Sequence, residues 1–424
     1  MTSKEIPKIL APVGDFAGLN AAIKAGCDEV YFGVAQLNMR ALSAKNFEIK
    51  DLPEIVAICK KDNIKTNLAL NTLLYNHDMK ICRTLLEKAK KAGVDAVIIS
   101  DIAAMQIAKE LGMEIHISTQ LSISNYETIK FYSQFSNRVV LARELILPQI
   151  KEISKQIAKD NLRGPQGRIM EIECFCHGAM CIAVSGRCFM SLYEFNKSAN
   201  RGACQQSCRR IYTLTDKETG HKMDIDNEYI LSPEDMCTVD ILDQLIDAGI
   251  NVLKIEGRAK SPEYIFTVVH AYRQALDAIK IGEYTMNLKQ ELLKRLNRVF
   301  NRGLSPGFYL GKPVDQMAKK YGNKSTEEKI FLGTVIKNYP KVHVAQIILE
   351  CDYLEKGEKI GIIGDKTGYV EQQAYDIIVN DNTLLTKAVK GDSITIKLNE
   401  LVHEKDKLYV FRKRTKHQGE QSHL

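Results

Sequence analysis

The chain has 424 residues, of which 45% are hydrophobic and 26% charged, and its 59 basic and 52 acidic side chains give a net charge of +7. These values are typical of a globular protein with one large domain and a smaller one, and they exclude a disordered or fibrous chain. No apolar run reaches the roughly 18 residues needed to cross a bilayer, and the N-terminal MTSKEIPKILAPVGD lacks the layout of a secretory signal. We therefore expect a cytoplasmic protein without a membrane partner.

Short apolar runs alternate with helical patterns over the first 281 residues. KILA at 8–11 predicts a strand, and FAGLNAAIKAG at 16–26 predicts a helix ended by glycine. Further strands are predicted at DEVYFG, IKTNLALN, DAVIIS, EIHIS, RVVLA, RIMEIEC and VLKIEG. This alternation predicts parallel β/α units, and six or more in a row favour an α/β fold of the TIM-like (β/α) barrel type over residues 1–281. Neither GxGxxG nor GxxxxGK[ST] occurs, so a nucleotide-binding open sheet has little support.

The rest of the chain has a different texture. Residues 282–329 begin with the helical LKQELLKRLNRVF and become loop-rich, which predicts a connection. Short strand patterns such as EKIGIIG and SITIKL then predict a small C-terminal β-barrel domain over 330–413. We expect a basic, disordered tail at 414–424. The basic run FRKRTKHQ at 411–418 is either solvated or contacts RNA phosphates.

Polar residues follow the predicted barrel strands, where the active sites of such barrels lie. They are Gly14, Asp15, Asn38, Arg40, Asn71, Asp101, Thr119, Gln120, Arg143, Glu144, Glu256 and Arg258. Each of them alone fits a helix cap or a turn. As a ring at one face they would line a polar pocket able to hold an anionic ligand, with Asn71, Asp101, Gln120 and also Arg201 as candidate substrate-binding residues.

Seven of the eleven cysteines lie between positions 174 and 237. The set C-x6-C-x15-C-x3-C, formed by Cys181, Cys188, Cys204 and Cys208, is all thiol and contains no CxxC pair. Because the cytosol keeps thiols reduced, metal ligation explains the clustering better than disulfides. Iron–sulfur clusters use four thiolates at irregular spacing, so a 4Fe–4S cluster fits better than zinc, although zinc and unligated thiols stay open. Arg187, Arg201 and Arg209 would offset the negative charge of a cluster.

The other cysteines have less defined roles. Cys174 and Cys176 are expected at the end of a barrel strand and Cys237 at the start of a helix, and all three compete for ligand roles. Four more lie in apolar patterns and are expected in the core, namely Cys27, Cys59, Cys82 and Cys351.

The segment EIECFCHGAMCIAVSGRCFMSLYEFNKSANRGACQQSCR at 171–209 resembles the signature of the collagenase-like peptidases, group thirty-two of the peptidases of unknown catalytic type. LAPVGDFAGLNAAIKAGCDEVYFG, ISTQLSISNYETIKFY, VVLARELIL, LSPEDMC and LKIEGRAKSPEYI are similar to the same family, so the resemblance covers nearly the whole chain. Cys174 and Cys176 depart from the pattern, since apolar residues are expected there. The family includes collagenase-like proteins and tRNA or rRNA hydroxylation factors, several with a 4Fe–4S cluster on cysteines of this motif.

The resemblance implies an iron–sulfur enzyme that hydroxylates the wobble uridine of tRNA to 5-hydroxyuridine. The cluster ligands would be Cys181, Cys188, Cys204 and Cys208. The implied partners are tRNA, prephenate as a dicarboxylate hydroxyl donor and, if the cluster is redox-active, an electron donor. Arginine forks match carboxylates, so the candidate catalytic residues are His177, Arg143, Arg187, Arg258 and Glu256.

Two other hypotheses stay open. A peptidase would have neither HExxH nor GxSxG available, and would rely on a thiol such as Cys181 beside His177. A non-enzymatic RNA-binding protein would use its metal only to staple the cysteine-rich loop.

Overall fold

The protein is described by a computed structural model that covers residues 6–42, 45–184, 187–222, 231–311, 316–319, 322–375, 377–380, 383–384 and 386–414. The first domain contains strands β1 (Lys8–Pro12), β2 (Glu29–Phe32), β3 (Lys65–Leu70), β4 (Ala96–Ile99), β5 (Glu114–Ile117), β6 (Arg138–Val140), β7 (Glu171–Gly178), β8 (Asp235–Cys237), β9 (Val252–Ile255) and β10 (Leu304–Ser305). Its helices are α1 (Phe16–Lys24), α2 (Leu52–Lys61), α3 (Met79–Ala92), α4 (Ile102–Glu110), α5 (Tyr126–Tyr132), α6 (Leu147–Lys159), α7 (Met190–Phe195), α8 (Leu242–Asp247), α9 (Pro262–Ile281) and α10 (Met286–Leu296).

Eight parallel strands close into a barrel. Strands β1 to β7 pair in sequence order, and β9 pairs with β7 on one side and with β1 on the other. Val252 is the closing residue, because it lies opposite both Glu173 and Lys8. The predicted TIM-like barrel is therefore confirmed.

Strand β8 lies outside the closed barrel. It pairs antiparallel with the last residues of β7, and β10 pairs with β8 in parallel. Cys237 ends β8, so the expectation that it starts a helix is wrong; it is buried opposite His177. The chain thus leaves the barrel after β7 and returns only at β9, and the intervening residues include the cysteine-rich segment.

Alternation along each strand separates two layers. Residues pointing outward, such as Ile9, Val30 and Leu68, are fully buried against the surrounding helices. Helix boundaries follow local chemistry: Asp15 accepts a hydrogen bond from Gly18 N at the start of α1, and α3 ends at Gly93 in the left-handed conformation.

The lower barrel interior is filled by an ionic network. Arg138 donates two hydrogen bonds to Glu29, at 2.7 and 2.8 Å, and Lys254 donates one to Glu173 at 2.7 Å. All four side chains are almost completely buried. Burial disfavours the charge on Glu29, but Arg138 outweighs it and lowers the pKa of Glu29 to about 2. These groups neutralise one another below the end of the barrel where catalytic sites form.

The C-terminal domain, predicted as a small β-barrel, is a separate domain of antiparallel strands. Its strands are β11 (Glu327–Tyr339), β12 (Val344–Leu349), β13 (Tyr353–Glu355), β14 (Lys359–Gly364), β15 (Gly368–Gln373), β16 (Ile377–Val379), β17 (Thr383–Leu384), β18 (Lys387–Val389), β19 (Ser393–Lys397) and β20 (Lys407–Lys413). Eight of them pair in the order β15-β14-β20-β11-β12-β19-β16-β17, and β13 pairs with β18. Cys351, which was expected in the core, is exposed in the loop after β12.

The second domain docks on helices α1 and α9. Gly368 has a φ of +69°, and an ideal Cβ there would lie 2.7 Å from Ala21 N, so only glycine permits this approach. Asn20 Nδ2 donates to Asp365 O at 2.6 Å, and the Phe266 and Tyr369 rings meet edge to face at 5.5 Å.

The predicted basic tail is only partly covered. Arg412 lies in β20 and is paired with Glu358 and Asp352, so the start of the basic run belongs to the sheet. Arg414 Nη1 donates to Asn323 O at 2.8 Å. Residues 415–424 lie outside the described residues.

None of the helices in the described ranges is long and apolar enough to cross a membrane.

We predict that Arg138→Ala lowers the free energy of unfolding by about 3–5 kcal/mol at pH 7, because it leaves Glu29 charged and buried without its partner. The difference in unfolding free energy between wild type and variant should narrow as the pH falls from about 4.5 toward 2. Pairing with Arg138 stabilises the fold only while the Glu29 carboxylate is ionised, and its pKa is about 2. Urea unfolding followed by circular dichroism measures the change. Arg83→Ala removes an exposed pair with Glu110 and should cost at most about 1 kcal/mol; equal losses would contradict the role of the network.

Candidate active site

A cavity of about 340 Å³ lies at the carboxyl-terminal ends of the barrel strands. Its floor includes Tyr31, Phe175 and Lys254 from the strands themselves. Its wall contains polar residues that come after the barrel strands. They are Asn71, Ser118, Thr119, Gln120, Arg143, Glu144, Glu256 and Arg258. The barrel therefore brings most of the predicted polar ring to one site, as parallel strands of a barrel require.

Glu256 and Arg40 form an ion pair on the cavity wall. Arg40 Nη2 lies 2.7 Å from Glu256 Oε1. Burial disfavours the charge on Glu256, but Arg40 and then Arg143 overcome it and hold the pKa of Glu256 below its usual value. Arg143 lies with its guanidinium 3.7 Å from the centroid of the Phe175 ring and donates to Ala179 O at 2.9 Å. Glu256 is thus a fixed anion within a cationic wall.

Arg258 is buried in the cavity wall without a full set of partners. Only 6% of the residue is exposed, and its Nη1 has no hydrogen-bond partner. Burial lowers the pKa of Arg258 to about 10. Gly33 makes room for this guanidinium, since an ideal Cβ at position 33 would lie 2.6 Å from Nη1. A buried unpaired cation is costly, so its presence indicates a site for an anionic ligand.

Three more buried polar atoms of the cavity lining lack a partner: Thr119 Oγ1, Glu144 Oε2 and Ser207 Oγ. Buried polar groups are satisfied in the great majority of cases. Their concentration at one cavity, together with Arg258, indicates that a polar ligand completes the hydrogen bonding there.

Cations dominate the cavity lining. The cationic side chains on the lining are Arg40, Arg143, Arg209, Lys254, Arg258, Lys260 and Arg302, against the two carboxylates Glu144 and Glu256. Two of these cations have carboxylate partners outside the lining, Lys254 with Glu173 and Arg302 with Asp235. Burial lowers the pKa of Lys260 to about 8, with a further decrease from Arg302. The cavity therefore suits an anion such as a carboxylate or a phosphate.

All four predicted thiol ligands line this same cavity: Cys181, Cys188, Cys204 and Cys208. Cys181 is exposed and the other three are half-buried. Burial raises the pKa of Cys208; Arg209 opposes this rise, and the other three thiols add to it. Met190 N donates to Cys188 Sγ at 3.4 Å. The thiols are thus close enough to influence one another.

The thiol segment is fastened to the barrel by arginines. Arg209 donates to Ser232 Oγ at 2.9 Å, Pro233 O at 3.0 Å and Met180 O. Arg201 donates to both oxygens of Asp78, at 2.6 and 3.2 Å. These contacts hold the segment over the cavity.

The chemistry of the four thiols can be compared with what zinc and iron–sulfur clusters require. Tetrahedral zinc would bring sulfurs to about 3.8 Å from one another, given Zn–S bonds of about 2.3 Å. Among the described residues, no three His, Cys, Asp or Glu side chains are arranged to hold one metal ion. A 4Fe–4S cluster takes one thiolate at each iron and so needs a wider arrangement. Four thiols and several cations line this one cavity, so the residue types that such a cluster requires are present.

His177, a candidate catalytic residue, does not line the cavity. It is 2% exposed and packs between β7 and α9, with its ring 5.7 Å from that of Tyr272 and 6.1 Å from that of Tyr264. Burial lowers the pKa of His177 to about 3, so it is neutral at pH 7. The structure therefore does not place it beside Cys181 on the cavity wall.

Four other candidates also lie away from the cavity lining. Asp101 caps α4 by accepting from Ala103 N at 2.9 Å. Arg187 is exposed and donates to Gln120 O at 3.2 Å, and Arg201 is committed to Asp78. Asp15 caps α1. The cap interpretation is therefore confirmed for Asp15 and Asp101.

The other cysteines of the cluster region are buried elsewhere. Cys174, Cys176 and Cys237 are at most 3% exposed and do not line the cavity. Burial raises the pKa of all three thiols. They behave as small apolar core residues.

Sequence reasoning missed several cavity residues. Lys254, Glu256, Arg258 and Lys260 are spaced by two positions and all line the cavity. This alternation along β9 and the residues after it could have predicted Lys254 and Lys260 from the sequence. Arg302 reaches the cavity from a loop and Ser207 from a short 3-10 helix, and neither had such a signal in the sequence.

The fold and the site together define a parallel (β/α) barrel whose cationic cavity is lined by the four thiols of one segment. Residues 14–319 match the sequence profile of Peptidase family U32, and the chain belongs to that family. The resemblance seen in the motifs is thereby confirmed.

The relatives carry two kinds of name. A "Collagenase" from Porphyromonas gingivalis is 46% identical over 96% of this chain and 98% of its own length. The "tRNA hydroxylation protein P1" of Bacillus subtilis is 32% identical over 84% of this chain and 83% of its own. The "23S rRNA 5-hydroxycytidine C2501 synthase" of Escherichia coli is 36% identical over 64% of this chain and 39% of its own.

We predict that malonate, a simple dicarboxylate, raises the thermal midpoint by about 3–6 °C and that Arg258→Met abolishes this rise. Without ligand the variant should be no less stable than the wild type, because it removes a buried and incompletely paired charge. Differential scanning fluorimetry at constant ionic strength measures both effects. Arg83→Met, on the exposed face of α3, should keep the malonate response; an unchanged response in Arg258→Met would show that the anion binds elsewhere.

Malonate affinity should fall roughly threefold or more between pH 7 and pH 9. Lys260 has a pKa of about 8, so it is charged below that pH and loses its proton above it, while malonate stays a dianion. Isothermal titration calorimetry across this range gives the profile. Lys260→Arg should keep its affinity to pH 9, and a decline identical to that of the wild type would assign the titration to another group.

Proposed function

We propose that this protein is an iron–sulfur enzyme that hydroxylates a uridine of tRNA at the wobble position, with a small dicarboxylate such as prephenate as hydroxyl donor. One observation carries the proposal: four thiols and a buried arginine with an unpartnered Nη1 line the same cationic cavity. The names of several relatives, which refer to tRNA and rRNA hydroxylation, support the choice of reaction class.

The cavity residues suit a dicarboxylate donor. Arg258 and Arg143 would each bind a carboxylate through paired N–H groups, and Lys260 would add a point charge. Phe175 packs beneath Arg143, 3.7 Å from its guanidinium, and so orients this cation in the cavity. Glu256 keeps Arg40 in place, at 2.7 Å, and so shapes the cationic wall rather than binding the anion.

The other side of the cavity suits a base. Thr119 Oγ1 and Glu144 Oε2 are buried without partners and would hydrogen-bond to the polar edge of an unstacked uracil. A wobble nucleotide lies in a single-stranded loop, so it can turn out of its stack at low cost. A cavity of about 340 Å³ has room for a single unstacked base but not for an RNA duplex.

The overall balance is a two-electron exchange. Replacing the hydrogen on uracil C5 by a hydroxyl oxidises the base by two electrons, and the hydroxyl donor, which gives up its hydroxyl and takes a hydrogen, is reduced by two. A 4Fe–4S cluster, when bound, would supply one-electron transfer. Cys181, Cys188, Cys204 and Cys208 would hold it, while the arginines around them offset its negative charge.

A peptidase mechanism lacks a matching arrangement in the described residues. Cys181 faces the cavity, whereas the neutral, buried His177 packs against α9. A thiol nucleophile needs a base within hydrogen-bond reach, and His177 does not provide it on the cavity wall.

The decisive prediction concerns Cys204→Ala. Cells that lack the gene should lose 5-hydroxyuridine from their tRNA, and the wild-type chain should restore it. Cys204→Ala should restore less than about a hundredth of the wild-type amount of 5-hydroxyuridine. Nucleoside mass spectrometry of purified tRNA gives the measurement. Anaerobically purified wild-type protein should contain about four iron and four sulfide per chain, and the variant less than one.

Cys351→Ala is the matched control, because Cys351 is exposed in the second domain and should keep both iron and activity. Zinc without sulfide in the wild-type protein would contradict the cluster. Unchanged 5-hydroxyuridine in the cells lacking the gene, with no other protein of this family present, would contradict the reaction.

A further inference from the structure

A second cavity, of about 1010 Å³, lies between the barrel and the all-β domain. On the barrel side it is lined by Gly14 and Asp15 after β1 and by residues 258–262 after β9. On the other side it is lined by the turn between β14 and β15 and by residues 403–407 before and at the start of β20. We call this cavity the interdomain groove.

The interdomain groove adjoins the active-site cavity. Arg258, Ala259 and Lys260 line both of them. Both therefore lie at the carboxyl-terminal end of the barrel, on the two sides of a single stretch of backbone. A ligand too large for the active-site cavity can extend into the groove over this stretch.

The groove presents unpaired positive charge. Lys366, Lys405 and Lys407 are exposed and belong to none of the ion pairs formed by the described residues. Two other lysines of the groove are neutralised: Lys45 lies 3.2 Å from Asp15, and Lys329 lies 2.7 Å from Glu263.

The acidic groups of the groove offset this charge only in part. Asp406 is 4% exposed and accepts hydrogen bonds from Thr367 Oγ1 and from His403 N, the latter at 2.8 Å, so it is turned inward. Asp365 and Glu404 remain as carboxylates on the lining, together with the paired Asp15. The free lysines therefore give the open groove a positive surface.

We propose that the interdomain groove binds the phosphate backbone of the RNA next to the nucleotide that enters the active site. This inference rests on the proposed function, since it takes RNA as the substrate. An RNA chain whose base occupies a cavity of about 340 Å³ must leave along the adjoining surface, and the groove adjoins it at Arg258. These lysines have flexible side chains and come from two separate segments, the β14–β15 turn and residues 405–407, so they suit contacts with successive phosphates that do not read sequence.

The test is the double variant Lys366→Gln/Lys407→Gln in the full chain with its cluster. It should weaken binding of fluorescein-labelled tRNA roughly tenfold at about 100 mM KCl and lower the slope of log K against log salt by about 2, since two phosphate contacts are lost. Fluorescence anisotropy over a salt series gives both values. The control variant Lys88→Gln/Lys91→Gln removes the same charge from the exposed face of α3. It should change the tRNA affinity and the salt slope much less than the groove variant does.

The outcomes separate the groove from the reaction. Equal weakening by the two double variants, or no binding of tRNA by the wild type, would overturn the groove assignment. Displacement of tRNA from the wild type by millimolar inorganic phosphate, with a slope near 1, would overturn it in favour of a single-anion site. If tRNA binding depends on the groove lysines but the protein forms no 5-hydroxyuridine, the groove assignment would stand and only the proposed reaction would be contradicted. Cys204→Ala should keep tRNA binding while losing modification.

Discussion

The pairing of β7 with β9 is the constraint on which the site depends. It closes the barrel and leaves β8 outside, so residues 179–251 leave and re-enter the barrel at neighbouring strands. At the end of β7, Gly178 has a φ of +108°, and an ideal Cβ there would lie 2.4 Å from Glu256 O. Only glycine allows the two strand ends to approach so closely. The thiol segment therefore begins directly over the residues that follow β9.

Charge is distributed unequally along the barrel axis. Below, Arg138 and Lys254 are matched by Glu29 and Glu173, and the interior is neutral without a ligand. Above, the cations outnumber the carboxylates, and Arg258 keeps a buried nitrogen without a partner. A folded chain tolerates such an imbalance when a bound anion offsets it, so the lower network holds the scaffold and the upper excess serves binding.

Much of the site followed from two simple regularities. Alternating strands and helices predicted the barrel, and the rule that barrel sites lie after the strands brought Asn71, Gln120 and Arg143 to one cavity. The same rule failed for Asp101, because a polar residue after a strand can equally cap the next helix. Cysteine spacing alone could not tell that Cys204 lines the cavity while Cys237 is buried in the core. Which side a thiol faces depends on the tertiary structure and leaves no local pattern in the sequence.

The four cavity thiols lie on one stretch of 28 positions, from Cys181 to Cys208, and none comes from a barrel strand. The barrel closes through pairings that do not involve this stretch. On the proposed function, cluster insertion and folding would therefore be separate steps, because the barrel could form first and the cluster could enter afterwards through a segment whose first thiol, Cys181, is exposed. Loss of the proposed cluster would then leave the barrel pairings intact.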